Sequence, residues 1–558
     1  MCRTMTCNKF GTLYVYVKTG LINHIFFKKM KTIKFLSLAF LLIVVASCSG
    51  VDKKMKKMVP KDAIAVASFN PKALIEHSGA EIADDGVIKN LPQSMLAEMS
   101  ASDKAQFEEI CKGIAKIGID TDNKIYAYVS MENMQVPAVI YLPLKSDKDT
   151  KKALEEGALG GEKLTFTEED GIQFTGGSNM GIALKDDIMM IGATMGGSIQ
   201  EAFKSFAKKQ YEADFANISE CEGADDCLDS DNDMNLYVNM GKVTGLLSMF
   251  GDKVDPSFAT IMELISDIKA IAVTSSLADN TLTSEGKLFM DDNSDLAKLM
   301  NQALTTGDAS FLQYVPANMD MVTVFNIQGK NIAQFEQVKA LLDAMNEDPT
   351  MRDMNIASLL ASANGPLFIA ADYNGNSIGE VNEMAIGFKT SKAADFVKLV
   401  GNIVRKENVP ATLQNNMFSF TSDGMKIDAG VKGNDMAFVK MRMPNAEEAA
   451  QGGIDAQEAS KLFAGVMVGN YMKFKIGDYT ICGDNVCKDI KNAKGQFYVL
   501  GKDGKKLNFM QFLDFIFTQF KQQQQKYMAQ YEEMMSQYSN DSDDMAYAEE
   551  ELVEAAME

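Results

Sequence analysis

Tryptophan is absent from the chain and histidine occurs only twice, as His24 and His77. His24 falls in a segment read below as lying outside the mature protein, which leaves His77 as the single imidazole for chemistry. That shortage excludes Ser-His-Asp hydrolases, His-rich zinc sites and most histidine general-base mechanisms. Basic residues are also scarce: 55 Lys+Arg stand against 76 Asp+Glu, a formal charge of -21. Nucleic acid is therefore not an expected partner, because phosphate binding needs a basic surface to release counterions. A P-loop, a glycine-rich dinucleotide turn and a Gly-x-Ser-x-Gly elbow with a usable histidine are all missing. What is present is ordinary globular composition, 558 residues with 46% hydrophobic side chains, enough for two or more domains.

The clearest motif is near the start. Residues 30–48 read MKTIKFLSLAFLLIVVASC, with Lys31 and Lys34 as a charged head, an apolar run over 35–45, and small residues before Cys48. The run is shorter than the roughly 20 residues a membrane span requires, and the pattern is that of a signal peptide. Its end resembles the bacterial lipobox, which implies lipid attachment to the Cys48 sulfur and cleavage between Ser47 and Cys48. Met30 is then the expected start, with 1–29 an upstream mis-start, 30–47 the signal peptide and 48–58 a tether. The tether carries Lys53, Lys54, Lys56 and Lys57, which suit either anionic headgroups or a solvated spacer. Ser49 in place of Asp, and no acidic run after it, point to an outer-membrane lipoprotein facing the periplasm.

Self-comparison divides the rest. VPKDAIAVASFN at 59–70 matches VPANMDMVTVFN at 315–326 with five identities in twelve positions. Further matches follow in order: 139–148 with 384–392, Asp170-Gly171 and the strands after it with Asp423-Gly424, and Asp267-Ile268-Lys269 with Asp489-Ile490-Lys491. Residues 59–310 and 311–521 are thus expected to be two tandem diverged copies of one domain. Strands joined by Asp-Gly steps, including Asp503-Gly504, imply hairpins and antiparallel pairing. Helices between them must cover a sheet face, so the fold class is α+β with helices packed on an antiparallel β-sheet. Phe509, Phe512, Leu513, Ile516, Phe517 and Phe520 form a helical stripe expected to pack on the preceding hairpin. Beyond it, 522–558 reads as a Gln-rich helix extension and an acidic disordered tail.

Candidate sites are few. Cys221 with Cys227 and Cys482 with Cys487 are spaced for loop-closing disulfides in an oxidising compartment, the sharper alternative being one four-thiolate zinc site. Cys111 reads as a small buried hydrophobe. Asp229, Asp231 and Asp233 alternate like calcium ligands, but Met234 stands where the loop needs Gly and Met240 where it needs Glu. Thirty-eight methionines, with pairs such as Met131/Met134, Met441/Met443 and Met534/Met535, suit Cu(I) or, more simply, irregular cores. No catalytic residue and no cofactor are expected.

The lipobox, the Val-Pro-Lys-Asp-Ala-Ile opening, the repeated Phe-Asn strand and the size together resemble a family of uncharacterised Bacteroidetes lipoproteins defined by a domain of unknown function. That resemblance implies a cell-envelope location and supplies no activity. The expected role is non-enzymatic: a lipid-anchored protein presenting duplicated domains to an envelope protein or glycan, where two platforms on one anchor raise effective concentration. The alternatives are a carboxylate-dependent glycan hydrolase, whose two acids need meet only in space, and periplasmic copper or calcium handling.

Overall fold

Short polar turns set the architecture. Asp170-Gly171, Asp186-Asp187, Asn415-Asn416 and Asp423-Gly424 all take positive φ, between 50° and 79°. This is the two-residue turn whose twist matches paired strands, and it is cheap only for Gly, Asn and Asp. In this computed structural model the described residues are 51–539, except 131–137, 159–162, 177–179, 194–198, 249–264, 336–337, 340–341, 344–355, 374–380 and 445–452. Cys48, the signal peptide, Met131/Met134 and the end of the acidic tail lie outside them, as do the side chains of Met534/Met535.

The first copy holds β1 (Ala65–Phe69), β2 (Ile125–Val129), β3 (Ala138–Pro143), β4 (Thr167–Glu169), β5 (Ile172–Gly176), β6 (Met180–Lys185), β7 (Ile188–Ala193), β8 (Met234–Asn239), β9 (Ile268–Ser276) and β10 (Leu282–Met290). The second holds β11 (Met321–Gln328), β12 (Ala363–Tyr373), β13 (Val381–Thr390), β14 (Ala411–Gln414), β15 (Met417–Ser422), β16 (Met425–Lys432), β17 (Met436–Arg442), β18 (Val468–Ile476), β19 (Tyr479–Cys487) and β20 (Asn492–Leu500). Pairing in the first copy runs β4-β5-β6-β7-β3-β2-β1-β8-β9-β10, antiparallel throughout. In the second it runs β14-β15-β16-β17-β13-β12-β11-β18-β19-β20. Each strand of one copy thus has a counterpart in the other with the same neighbours. The duplication read from the sequence is borne out by topology.

Equivalent edge strands β10 and β20 pair antiparallel and join the copies into one sheet. Carrying the registers outward from Val66 and Val322, already equated by sequence, makes Tyr237 the counterpart of Tyr471 and Glu285 that of Lys494. Glu285 and Lys494 are directly opposite one another and form an ion pair, so a pseudo-two-fold axis passes between them. In a dimer of identical chains this isologous position would confront like residues. Within one chain it accommodates opposite charges.

Of the helices, α1 (Val51–Lys57), α2 (Pro71–Ser78), α3 (Gln93–Glu98), α4 (Ala101–Ile117), α5 (Asp147–Glu155), α6 (Ile199–Glu212), α7 (Ala224–Leu228), α8 (Met240–Ser248) and α9 (Asp295–Ala303) belong to the first copy, and α10 (Gly329–Ile332), α11 (Ile356–Ser362), α12 (Ala393–Lys406), α13 (Ala456–Phe463) and α14 (Phe509–Ser539) to the second. They cover both faces of the first copy's sheet, where the sequence reading expected one. Tyr126, Tyr141 and Val66 face Met55, Met58 and Phe203, while Ile125, Leu142 and Leu184 face Phe107, Ile114 and Leu154. The central strands are apolar at both parities, so neither face can be left in water. The terminal helix of each copy crosses the axis: Ala297 and Met300 of α9 pack with Met467 and Ile490, and Met510 and Leu513 of α14 join the first copy's core. Of the stripe read from the sequence, Phe512 and Ile516 of α14 pack on the preceding hairpin, against Ile481 and Val499, while Leu513 turns to the first copy; Phe515, which the stripe left out, is the residue buried deepest there.

Three readings need correction. Residues 51–57 are helix α1, not tether: Met55, Met58 and Val59 are fully buried, each worth about 1.5–3 kcal/mol of hydrophobic stabilisation, and Lys56 is paired with Asp225 and Asp229. Asp170-Gly171 joins β4 to β5 whereas Asp423-Gly424 joins β15 to β16, one hairpin further on. Asp267-Ile268 opens β9, but Asp489-Ile490-Lys491 lies between β19 and β20, one strand late. Every tight turn demands the same few residues, so turn motifs alone do not fix which hairpin matches which.

Candidate functional site

One end of the second copy's central strands carries acids where a sheet core should carry apolar groups. Asp320 enters β11, its N–H donating to the Ala371 carbonyl while its own carbonyl accepts from the Lys473 N–H. Asp372 on β12 stands directly opposite Glu383 on β13. All three are buried, at 6%, 3% and 6% exposure. Like charges across neighbouring strands are destabilising, the more so without water. The site answers in two ways. Glu383 meets Lys440 at 3.3 Å and accepts from Asn318 Nδ2 at 3.2 Å. Asp320 keeps a proton: burial pushes its carboxyl up to about 7, against the 3.1 Å hydrogen bond donated by the Tyr373 N–H. Asp372, hydrogen-bonded to Asp320, is also raised, first by burial and then by Glu383. The bond between them favours the proton on Asp320, which donates it to Asp372.

The row continues into bases. Glu383 is opposite Arg442 on β17, and Arg442 is opposite Lys426 on β16. In the parallel row, Lys440 is opposite Asp428, and Asp428 is opposite Ser419, whose hydroxyl donates to it at 2.6 Å. With Thr412 and Thr421 these side chains line a groove of about 630 Å³ across β13 to β17. Glu383 forms its deep end, and Lys426, Ser419 and Thr421 its exposed rim.

Register identifies the same positions in the first copy. Gly192, Gly181 and Gly176 stand where the second copy has Lys440, Asp428 and Ser419. There Phe203 of α6 lies on the strands so closely that a Cβ on Gly181 would come within 2.4 Å of its ring. Ile64 and Ser130 replace Asp320 and Asp372. One scaffold is thus filled with apolar groups in the first copy and opened as a charged groove in the second. The fold does not require the acids, since its twin does without them.

A second concavity, about 450 Å³, lies on the seam between the copies. Gly286, Ala493 and Gly495 form its floor, with Ile271, Leu288 and Phe497 around it. Its lining is mostly apolar, and it gathers no ionisable cluster comparable to the groove.

The sequence candidates are placed elsewhere. Cys482 and Cys487 lie on the single strand β19, five residues apart. They therefore face opposite sides at roughly 16 Å separation by strand rise, so the proposed bridge between them is not possible in this fold. Cys221 and Cys227 are free thiols, the first directed at the Lys61 carbonyl and the second at those of Leu236 and Val273. Burial raises both. Cys111 is buried in the first copy's core. The Asp229/Asp231/Asp233 loop is neutralised from within: Lys56 meets Asp229 at 2.6 Å, and the Lys124 ammonium donates to the carbonyls of Leu228 (3.0 Å) and Ser230 (2.6 Å). Asp233 turns inward, accepting from the Leu277 N–H at 2.7 Å and meeting His77 Nδ1 at 2.9 Å. Among the described residues no three His, Cys, Asp or Glu side chains are grouped to hold a metal ion. Met441 lies in register between Met384 and Ile427 and is half-buried, outside the buried core clusters.

Sequence reasoning missed the acidic row because its members are scattered over three strands with no local motif. One signal existed. In the repeat match itself Ile64 aligns with Asp320, an acid where the twin strand has an apolar residue.

Comparison with known proteins places the chain. It belongs to the family described as a domain of unknown function, DUF4836, which matches residues 55–448. No curated protein matches it. Two solved structures, titled crystal forms III and IV of TP0453, are similar over 45% and 42% of this chain and 87% and 79% of theirs, at 11% and 12% identity and TM-scores of 0.26 and 0.25. Among the described residues no helix is long and apolar enough to cross a membrane.

Proposed function

We propose that this member of the family is a lipid-anchored cell-envelope protein whose second copy binds an envelope glycan without turning it over. The observation that carries the reading is the contrast between twin positions: Gly176, Gly181 and Gly192 in one copy, with Phe203 lying on Gly181, and Ser419, Asp428 and Lys440 lining an open groove in the other. Hydroxyls and charges of both signs in one concavity suit a hydroxyl-rich polar ligand. Hydrolysis is the weaker reading. A glycosidase presents two free carboxyl groups to its substrate, one of them neutral. Here the groove carboxylates Glu383 and Asp428 are engaged by Lys440 and Ser419, and the proton-holding Asp320 is buried behind them.

Location rests on the lipobox at Cys48. Val51 already lies in helix α1, so no more than Ser49 and Gly50 separate the lipidated residue from the folded body, which would hold the protein close against its membrane. The experiment is a binding titration of the full chain with glycans extracted from the envelope, run beside an assay for released reducing sugar. Binding without release is expected; release of sugar overturns the reading in favour of a hydrolase. Fractionation of Cys48→Ala tests the anchor: the variant leaves the membrane fraction, and an unchanged distribution refutes lipidation.

A further inference from the structure

We infer that Arg442 and Lys426 form a subsite for the oxyanion of an acidic glycan. This deepens the glycan reading and rests on it. Across the groove face three cations, Lys426, Lys440 and Arg442, meet two carboxylates, Glu383 and Asp428. The acids are already committed: Glu383 to Lys440 and Asn318, Asp428 to the Ser419 hydroxyl. Among the described residues this leaves Arg442 and Lys426 directly opposite one another on adjacent strands, two like charges facing the groove outside any ion pair, since Glu383 on the other side of Arg442 is held by Lys440.

A pair of like charges at that spacing is unfavourable in the empty groove and becomes favourable when an anion is placed between them. The planar guanidinium offers a fork that fits a carboxylate or a sulfate or phosphate ester, and Lys426 adds a mobile charge at the rim. Thr421, opposite Lys426 on β15, and Ser419 and Thr412 beside them offer hydroxyls to the neutral part of a sugar. The protein as a whole is acidic, so this patch locally reverses the repulsion that an anionic polymer meets elsewhere on its surface.

The test uses the full chain and calorimetric titration with three probes: a short oligogalacturonide, its methyl ester, which keeps the hydroxyls and loses the charge, and a sulfated cello-oligosaccharide. One or both anionic probes bind, more weakly as salt rises, and which of them binds distinguishes a carboxylate from a sulfate ligand. Arg442→Gln weakens that binding about tenfold or more, as expected for loss of a charge-assisted bidentate contact. Arg442→Lys, which keeps the charge and loses the fork, falls between. Lys502→Gln removes the same charge at an exposed site in the loop after β20 and leaves affinity unchanged. Circular dichroism confirms that each variant is folded. If the methyl ester binds as tightly as the acid, or Arg442→Gln binds like the parent, the oxyanion subsite is overturned while glycan binding stands. If none of the probes and no extracted glycan binds, both fall.

Discussion

Replacing Asp320 by Asn separates a carboxyl that holds a proton from one that is merely buried. In the unfolded chain this group ionises near its ordinary value of 3.8; in the folded protein burial pushes it up to about 7. Between those values the folded state binds more protons than the unfolded one. Stability is therefore greatest below the lower value and falls as pH rises through the upper one, by about 1.4 kcal/mol per pH unit at full effect. Over roughly three pH units the ceiling is about 4 kcal/mol, and coupling to the neighbouring Asp372 lowers the part that Asp320 alone supplies. Asn keeps an oxygen for the Tyr373 N–H and gives Asp372 an N–H in place of the Asp320 proton. Asp320→Asn is thus expected to be more stable than the parent by about 2–4 kcal/mol near pH 8 and no more stable near pH 4. Urea unfolding followed by circular dichroism measures this; tryptophan fluorescence is not an option, since the chain has none. A stability difference that stays constant from pH 4 to pH 8 would falsify the assignment of a proton to Asp320.

Four further outcomes are expected. Met55→Ala opens a cavity in the first copy's core and costs about 2–5 kcal/mol, read as a lower urea midpoint; no loss would mean that α1 is not part of the folded body. Gly181→Ala forces a methyl against the Phe203 ring and costs about 1–3 kcal/mol, whereas Asp428→Ala at the twin position changes stability by less than that, because its side chain faces the open groove. Peptide mapping without reduction yields no Cys482–Cys487 crosslink, and finding one would contradict their placement on opposite faces of β19. Calcium and a chelator leave the melting temperature unchanged, because Lys56 and Lys124 already supply the cations that the Asp229 loop would otherwise need; a rise on adding calcium would refute that account.

Local chemistry and self-similarity were sufficient for the broad plan. The apolar strands, the Asp-Gly turns and the match of 59–70 with 315–326 determined an α+β chain built twice, and the stripe of α14 announced its packing on Ile481 and Val499. Such features depend on residues a few positions apart, and side-chain periodicity records them. Tertiary structure alone decided the rest. Strand pairing brings Asp320, Asp372 and Glu383 side by side, opposes Arg442 to Lys426, and puts Cys482 and Cys487 on opposite faces although they are close in sequence. It also shows that α1, so lysine-rich that it reads as a tether, buries Met55 and even Lys56. The reason is the same in each case: a sheet makes neighbours of residues on different strands according to register, and register is fixed by the packing of the whole chain, not by any short stretch of it.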